Sequence, residues 1–175
     1  MKQANSETLP ARQTWSAGDF PRMGVELAIV GELLCESIPV HAGDPVLDVG
    51  TASGNTAISA ARRRAIVTGV DLVPALLGHA RMRAQTEGFE IDFQEGNAMA
   101  LSFADESFDV VLSTFGAIFA PDPHKTAAEN GARLPTRRKN WHGELASRFD
   151  DREAVPDPGT VFRAELACRC SPGVG

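Results

Sequence analysis

Apolar residues recur in two rhythms along this chain. Over residues 23–38 they fall near helical spacing, at Val25, Leu27, Ile29, Val30, Leu33, Leu34 and Ile38, until Pro39 and Gly43 break the run. From residue 45 the rhythm changes. Short stretches at 45–49, 65–71, 91–94 and 108–114 read as strands, and 65–71, β-branched and nearly continuous in apolar residues, reads as a buried parallel strand. Helical patterns separate them. One, over 54–64, turns Ala57, Ile58 and Ala61 inward; another, over 74–87, turns Leu76, Leu77, Ala80 and Ala84 inward and stops at Gly88. A last helix, over 124–129, opens after Pro121-Asp122-Pro123. Strands alternating with helices predict an α/β chain with a parallel sheet. Residues 1–14 are polar and expected to be loose. Trp15 and Phe20 bound a short segment in which Asp19 or Ser16 is the candidate cap for the helix that follows.

The first strand runs straight into a small-residue turn, Gly50-Thr51-Ala52-Ser53-Gly54-Asn55, and then into a helix. Such a turn lets the backbone bend sharply, and the helix aims its N-terminal N–H groups at whatever sits there. This is a ligand-binding βα turn. Its spacing is not that of the dinucleotide fingerprint G-x-G-x-x-G, because Ala52 and Asn55 stand where glycines belong. It is not a P-loop either, since no lysine follows. The second strand ends on Asp71, 21 residues after Gly50. A carboxylate there is placed to accept hydrogen bonds from both ribose hydroxyls of a nucleoside. It can equally cap the helix that begins at Pro74.

The stretch Val46-Leu47-Asp48-Val49-Gly50-Thr51-Ala52-Ser53-Gly54 resembles motif I of the class I S-adenosylmethionine-dependent methyltransferases, with Ala52 in place of the middle glycine. The resemblance covers residues 12–129 and includes the kind of enzyme that methylates quinones. It implies an α/β Rossmann-like three-layer fold, here a half-sheet of parallel strands in order 3-2-1-4. The family's full order is 3-2-1-4-5-7-6. It implies S-adenosylmethionine as cofactor. Asp48 would sit near its methionine part, Gly50, Thr51, Ala52 and Gly54 would form the turn around it, and Asp71 would hold the ribose. Leu72 would pack on the adenine. Glu95-Gly96-Asn97-Ala98 resembles the family's third motif, usually Gly-Asp-Ala, so Asn97 and the Ala98 N–H would meet the adenine edge. The loop from Ser113 to Phe115 would lie over the cofactor. Trp15 and Phe20 resemble the tryptophan-rich segment that helps close such sites; plain hydrophobic packing is the equal alternative.

The function implied is methyl transfer to a small-molecule acceptor, quinone-like or another metabolite. The alternative is a non-catalytic remnant that binds the cofactor weakly or not at all. A nicotinamide-dependent reductase is disfavoured by the glycine spacing. No catalytic residue is assigned. No general base can be named: His79 falls mid-helix, and His124, the nearest candidate, reads as a helix-start residue.

Composition narrows the remainder. Across 175 residues the net charge is −6, which argues against a nucleic-acid-binding surface. Cys35, Cys168 and Cys170 are an odd set without zinc-ligand spacing, so free thiols and no metal are expected. With no signal peptide at the start and no apolar run of membrane-spanning length, a soluble, cytoplasmic protein is expected.

Three segments follow: an N-terminal helical segment at 1–44, the cofactor-binding core at 45–130, and an irregular tail at 131–175. Strand four would then be a bare edge of buried-type residues, open to self-association. Charge shifts at the same place. Residues 1–130 hold 9 Lys and Arg against 17 Asp and Glu, a net of −8, whereas 131–175 hold 8 against 6, a net of +2. Read one nucleotide forward with free third bases, codons 130–147 allow Met-Ala-Arg-Val-Cys-Arg-Pro-Gly-Gly-Lys-Ile-Gly-Met-Ala-Asn-Trp-His-Pro. That resembles the helix end, glycine turn and fifth strand of the family, so the tail reads as a translation in a shifted frame. Sequencing the coding DNA around codon 130 checks this: one base change is expected to restore that reading, and its failure to do so refutes the shift.

Overall fold

Val46, Leu47, Asp48 and Val49 are all essentially buried, which puts β1 (Pro45–Val49) inside the sheet. In the computed structural model, which describes residues 9–17 and 20–135, β1 pairs in parallel with β2 (Ile66–Asp71) on one side and β4 (Val110–Leu112) on the other. β3 (Asp92–Glu95) pairs in parallel with β2, giving the order β3-β2-β1-β4. This is the expected half-sheet. Val46 aligns with Val67 and with Val110, so the same parity faces the same side across three strands.

That parity divides the core. Val46, Val67, Val110 and Leu112 pack with Leu34, Ile58, Leu77 and Phe93 beneath the helices α3 (Ala28–Ser37), α4 (Asn55–Arg62) and α5 (Pro74–Thr86). Leu47, Val49 and Val70 face the other way, against Leu101 and Phe108. There Phe103 and Phe108 meet edge to face, with ring centroids 5.1 Å apart. Among the described residues no helix is long and apolar enough to cross a membrane.

The structure departs from the sequence expectations in four places. Residues 9–17 are helical, not loose: α1 (Leu9–Ala17) is held by contacts distant in sequence. Arg12 Nε donates to the Leu72 carbonyl at 3.1 Å and Arg12 Nη2 to Glu95, while Trp15 lies against Phe119 with ring centroids 5.0 Å apart. The single helix expected over 23–38 is two, α2 (Phe20–Glu26) and α3, because Leu27 leaves helical geometry at φ −92° and ψ 4°. The break lets α2 bring Gly24 up to Ser53 while α3 sets Gly31 against the backbone of Asn55 and Thr56.

The ladder of β4 is shorter than 108–114. Asp109 N–H still donates to the Pro45 carbonyl of β1 at 2.8 Å, but Phe108 N–H donates instead to the Arg133 carbonyl at 3.1 Å. Last, α6 (Pro123–Ala132) passes the expected boundary at 130. Asp122 caps it by accepting the Lys125 N–H at 2.9 Å. Beyond it the buried Arg133 guanidinium bonds Asp105, Glu129 and the Leu101 carbonyl. The expected irregular tail from 136 onward lies outside the described residues.

Leu134 is 3% exposed, so the packed unit extends at least that far. Leu134→Ala is expected to destabilise the protein by about 2–5 kcal/mol, read from urea unfolding. A change under about 0.5 kcal/mol would show that the unit ends earlier.

Candidate functional site

All four strands point their C-terminal ends at one cavity of ≈570 Å³. This is where open α/β sheets hold ligands. A second groove, ≈690 Å³, lies along the start of β2, α5 and β3, away from the glycine turn.

The cavity floor is the turn after β1. The N–H groups of Gly50 and Thr51 both donate to the Val70 carbonyl, at 2.8 and 3.0 Å. Gly50, Ala52 and Gly54 all take left-handed backbone, at φ +72°, +48° and +86°. For glycine that conformation is free; for Ala52 it is strained. Gly50 lies back to back with Gly116: a Cβ on Gly116 would stand 2.5 Å from Gly50 Cα and 2.7 Å from the Val49 carbonyl oxygen. The floor can therefore carry no side chain at either position.

Asp71 forms one wall. It is 9% exposed, and each carboxylate oxygen accepts one backbone N–H, Val73 to Oδ1 at 2.9 Å and Ala52 to Oδ2 at 2.8 Å. Burial pushes its carboxyl above the usual range, and these hydrogen bonds oppose the shift. A carboxylate has about four acceptor positions, so acceptor capacity remains for a ligand. The structure thus gives Asp71 a bracing role beside α5 and a place in the cavity wall together.

The other residues singled out in the sequence divide into two groups. Gly50, Thr51, Ala52, Leu72, Asn97 and Ala98 line the cavity with Asp71. Asn97 Oδ1 already accepts the Met99 N–H at 2.9 Å, closing a turn. Asp48, Gly54 and Ser113 lie behind the lining and act on it. Asp48 Oδ2 accepts from Thr51 Oγ1 at 2.6 Å and from Ala57 N–H at 3.0 Å, joining the turn to α4. Gly54 packs against Ala80 and Phe93. Ser113 Oγ donates to the Val49 carbonyl at 2.7 Å and accepts the Ala117 N–H at 3.0 Å, which sets the loop that carries Gly116.

Sequence reasoning missed several lining residues: Ala11, Gly24, Gly31, Gly116 and Phe119, whereas Thr114 and Phe115 of the expected loop do line the cavity. Gly116 had a signal, because it directly follows a strand end. Gly24 and Gly31 had one too, spaced seven apart on an expected helix face. Trp15 and Phe119 close the far side as an aromatic wall. Among the described residues lining the cavity, Asp71 is the only titratable one. The described residues can therefore bind, orient and exclude water, and among them the acid–base capacity lies in the Asp71 carboxyl.

The model of the methyltransferase-domain family matches residues 46–134. The chain belongs to this family. An uncharacterized protein of Mycobacterium bovis is 45% identical over 140 residues, which take in 76% of this chain and 50% of that protein. The demethylmenaquinone methyltransferase of Thermus thermophilus is 37% identical over 86 residues, 48% of this chain and 39% of that enzyme. The crystal structure of the YcgJ protein from Bacillus subtilis matches with TM-score 0.56 at 30% identity, over 60% of this chain and 45% of that one. The methyltransferase-domain chain described here spans about half the length of the relatives it matches.

Asp48 supplies a prediction in pH. Burial pushes its carboxyl up to about 7, the charge of Asp71 pushes the same way, and the Thr51 and Ala57 hydrogen bonds oppose. An unfolded aspartate titrates near about 3.9. The folded chain therefore holds this proton more tightly, and the stability it brings is full below about pH 4 and lost as pH rises through about 7. Relative to Asp48→Asn, the wild-type melting temperature is expected to fall between about pH 4 and about pH 7. Parallel melting curves for the two proteins would show the carboxyl ionised throughout.

Proposed function

We propose that this methyltransferase-domain chain binds S-adenosylmethionine in the strand-end cavity and directs its methyl group to a small-molecule acceptor. The observation that carries the reading is Asp71: a buried carboxylate with acceptor capacity left, at the end of β2, across from the bare Gly50–Gly116 floor. The cavity volume, ≈570 Å³, lies within the range of small-molecule and cofactor sites.

In this reading Asp71 accepts from the ribose hydroxyls and Leu72 packs on the adenine. Asn97 and the Ala98 N–H meet the adenine edge. The turn at Gly50, Thr51 and Ala52, braced by Asp48, Gly54 and Ser113, bounds the methionine part. When bound, the cofactor supplies an electrophilic methyl group. What the chain adds is position: transfer needs an in-line approach, and holding two partners at that geometry supplies much of the rate. Trp15 and Phe119 offer the acceptor an aromatic wall and exclude water on that side.

The test is calorimetric titration of the full chain with S-adenosylhomocysteine and, in parallel, with NADH. Binding of S-adenosylhomocysteine alone is expected. Asp71→Ala should weaken it by at least about tenfold, since hydrogen bonds to a charged group contribute about 1.5–3 kcal/mol each. Asp71→Asn should lose less, because one acceptor oxygen survives. Its melting temperature should fall as well, since the new amide cannot accept both backbone N–H groups. Unchanged affinity in a folded Asp71→Ala protein would remove the ribose assignment. Binding of NADH alone would overturn the methyltransferase reading, and binding of neither would favour a non-catalytic chain.

A further inference from the structure

Arg83 is a surface-type residue in the last turn of α5, yet its guanidinium turns to the glycine turn. Nη1 donates to the Ser53 carbonyl at 2.8 Å, to Ser53 Oγ at 3.2 Å and to Asn55 Oδ1 at 2.6 Å. The other end of the Asn55 amide donates from Nδ2 to the Gly24 carbonyl at 2.6 Å. A continuous polar chain thus runs from α5 through the turn to α2. Ser53, Asn55 and Gly24 all line the cavity. An acid was available to Arg83 on its own helix side, one turn on: Glu87 instead takes Arg62, whose Nε donates to it at 3.0 Å.

The turn needs such a restraint. Ala52 holds φ +48° where its sequence motif has glycine, and a side chain there favours relaxation out of the left-handed region. Asp71 holds the turn at the Ala52 N–H, and Arg83 holds it at the next residue's carbonyl. One restraint lies on the peptide group before Ala52 and the other on the peptide group after Ser53, so together they bracket the Ala52–Ser53 peptide.

We propose that Arg83 is a positioning residue of the cofactor site: it pins Ser53 and Asn55 so that the strained Ala52 turn stays in its cofactor-accepting shape. This rests on the reading of the cavity as a site for S-adenosylmethionine. Ala52 and Arg83 then act as a pair. A glycine at position 52 would need the arginine less, because glycine takes the left-handed region without strain.

The test uses the full chain and two readouts for wild type, Arg83→Ala, Arg83→Lys, Ala52→Gly and the double variant Ala52→Gly/Arg83→Ala. One is S-adenosylhomocysteine affinity by calorimetry, with melting temperature alongside. The other is hydrogen exchange of the turn amides in the cofactor-free chain. Arg83→Ala is expected to weaken affinity about tenfold, the effect of losing one charge-assisted hydrogen bond. It should also speed exchange at Ala52 and Gly54 while leaving β1 amides protected. Arg83→Lys, which keeps a charged donor, should recover part of the affinity, and the double variant should recover most of it.

A lower melting temperature with unchanged affinity and unchanged turn exchange would make Arg83 merely structural and overturn the proposal. An Ala52→Gly background that rescues nothing would overturn the pairing with Ala52. Should Arg83→Ala fail to fold, Arg83→Lys with Asn55→Ala forms the cycle: non-additive affinity losses are expected, and additive ones refute the coupling. A wild-type chain that does not bind S-adenosylhomocysteine removes the cofactor reading and this role with it. Intact binding with unaffected turn exchange removes the role of Arg83 alone.

Discussion

Two backbone N–H groups, those of Ala52 and Val73, converge on the Asp71 carboxylate. One belongs to the turn after β1 and the other to the approach to α5. Their meeting point fixes how far apart these segments stand, and the cavity lies between them. The carboxylate is nearly dry, so its ionised form is penalised by burial and sustained by these same donors. In a low-dielectric setting each such bond is strong and each missing partner costly. The interaction therefore works as a geometric lock: removing one donor leaves the charge poorly solvated, and moving the carboxylate releases the turn.

The same pattern recurs at the ends of β1 and β4. Below the cavity the sheet is apolar on both faces, with Val46, Leu47 and Val49 fully buried. At the C-terminal ends polar side chains take over and tie neighbouring segments. Asp48 joins the turn to α4, Ser113 joins β1 to the loop that carries Gly116, and Arg83 joins α5 to the turn. Strand pairing alone fixes direction and register, but it leaves the loops beyond the last ladder bond free. These side chains extend order past the ladder by one or two residues, far enough to shape a ligand cavity. The close approach of Gly50 and Gly116 depends on them, because nothing in the sheet itself forces two loops into backbone contact.

How far the sequence could be read follows from which forces are local. Apolar runs and the 3.6-residue period both report burial, so β1, β2, α4 and α5 were legible to within one or two residues. Asp71 was legible because strand length and turn length together fix where a strand ends. Leu27 was not, because it is apolar and fits the helical rhythm of its neighbours. Its departure from helix comes from packing, Gly24 on Ser53 and Gly31 on Thr56. Nor was α1, since Leu9–Ala17 has no pronounced apolar face of its own and is held by Arg12 and Trp15 on partners more than fifty positions away. Arg83 was hidden for the opposite reason. An arginine in the last turn of a helix has an ordinary explanation in the helix dipole, and only the geometry reveals its neutral partners.

The two sheet edges differ in a way that bears on the cavity. On the β3 edge Asp92, Gln94 and Glu95 are exposed, and such polar side chains protect an edge from pairing with other chains. Glu95 also serves the site, because Arg12 reaches it from α1. On the β4 edge Val110 and Leu112 are buried, the composition of an interior strand. The order that β3 lacks in apolar contact is supplied by charge, and that charge anchors the helix bearing Trp15. At β4 the order comes from Ser113 and from the backbone bonds of residues 106 and 108 to 132 and 133. The cavity thus hangs between an edge braced by an ion pair and an edge braced by backbone hydrogen bonds. Salt screens an exposed pair such as Arg12–Glu95, whereas it has little effect on backbone hydrogen bonds. Opening of the aromatic wall at Trp15 should therefore respond to ionic strength, while the floor at Gly50 and Gly116 should not.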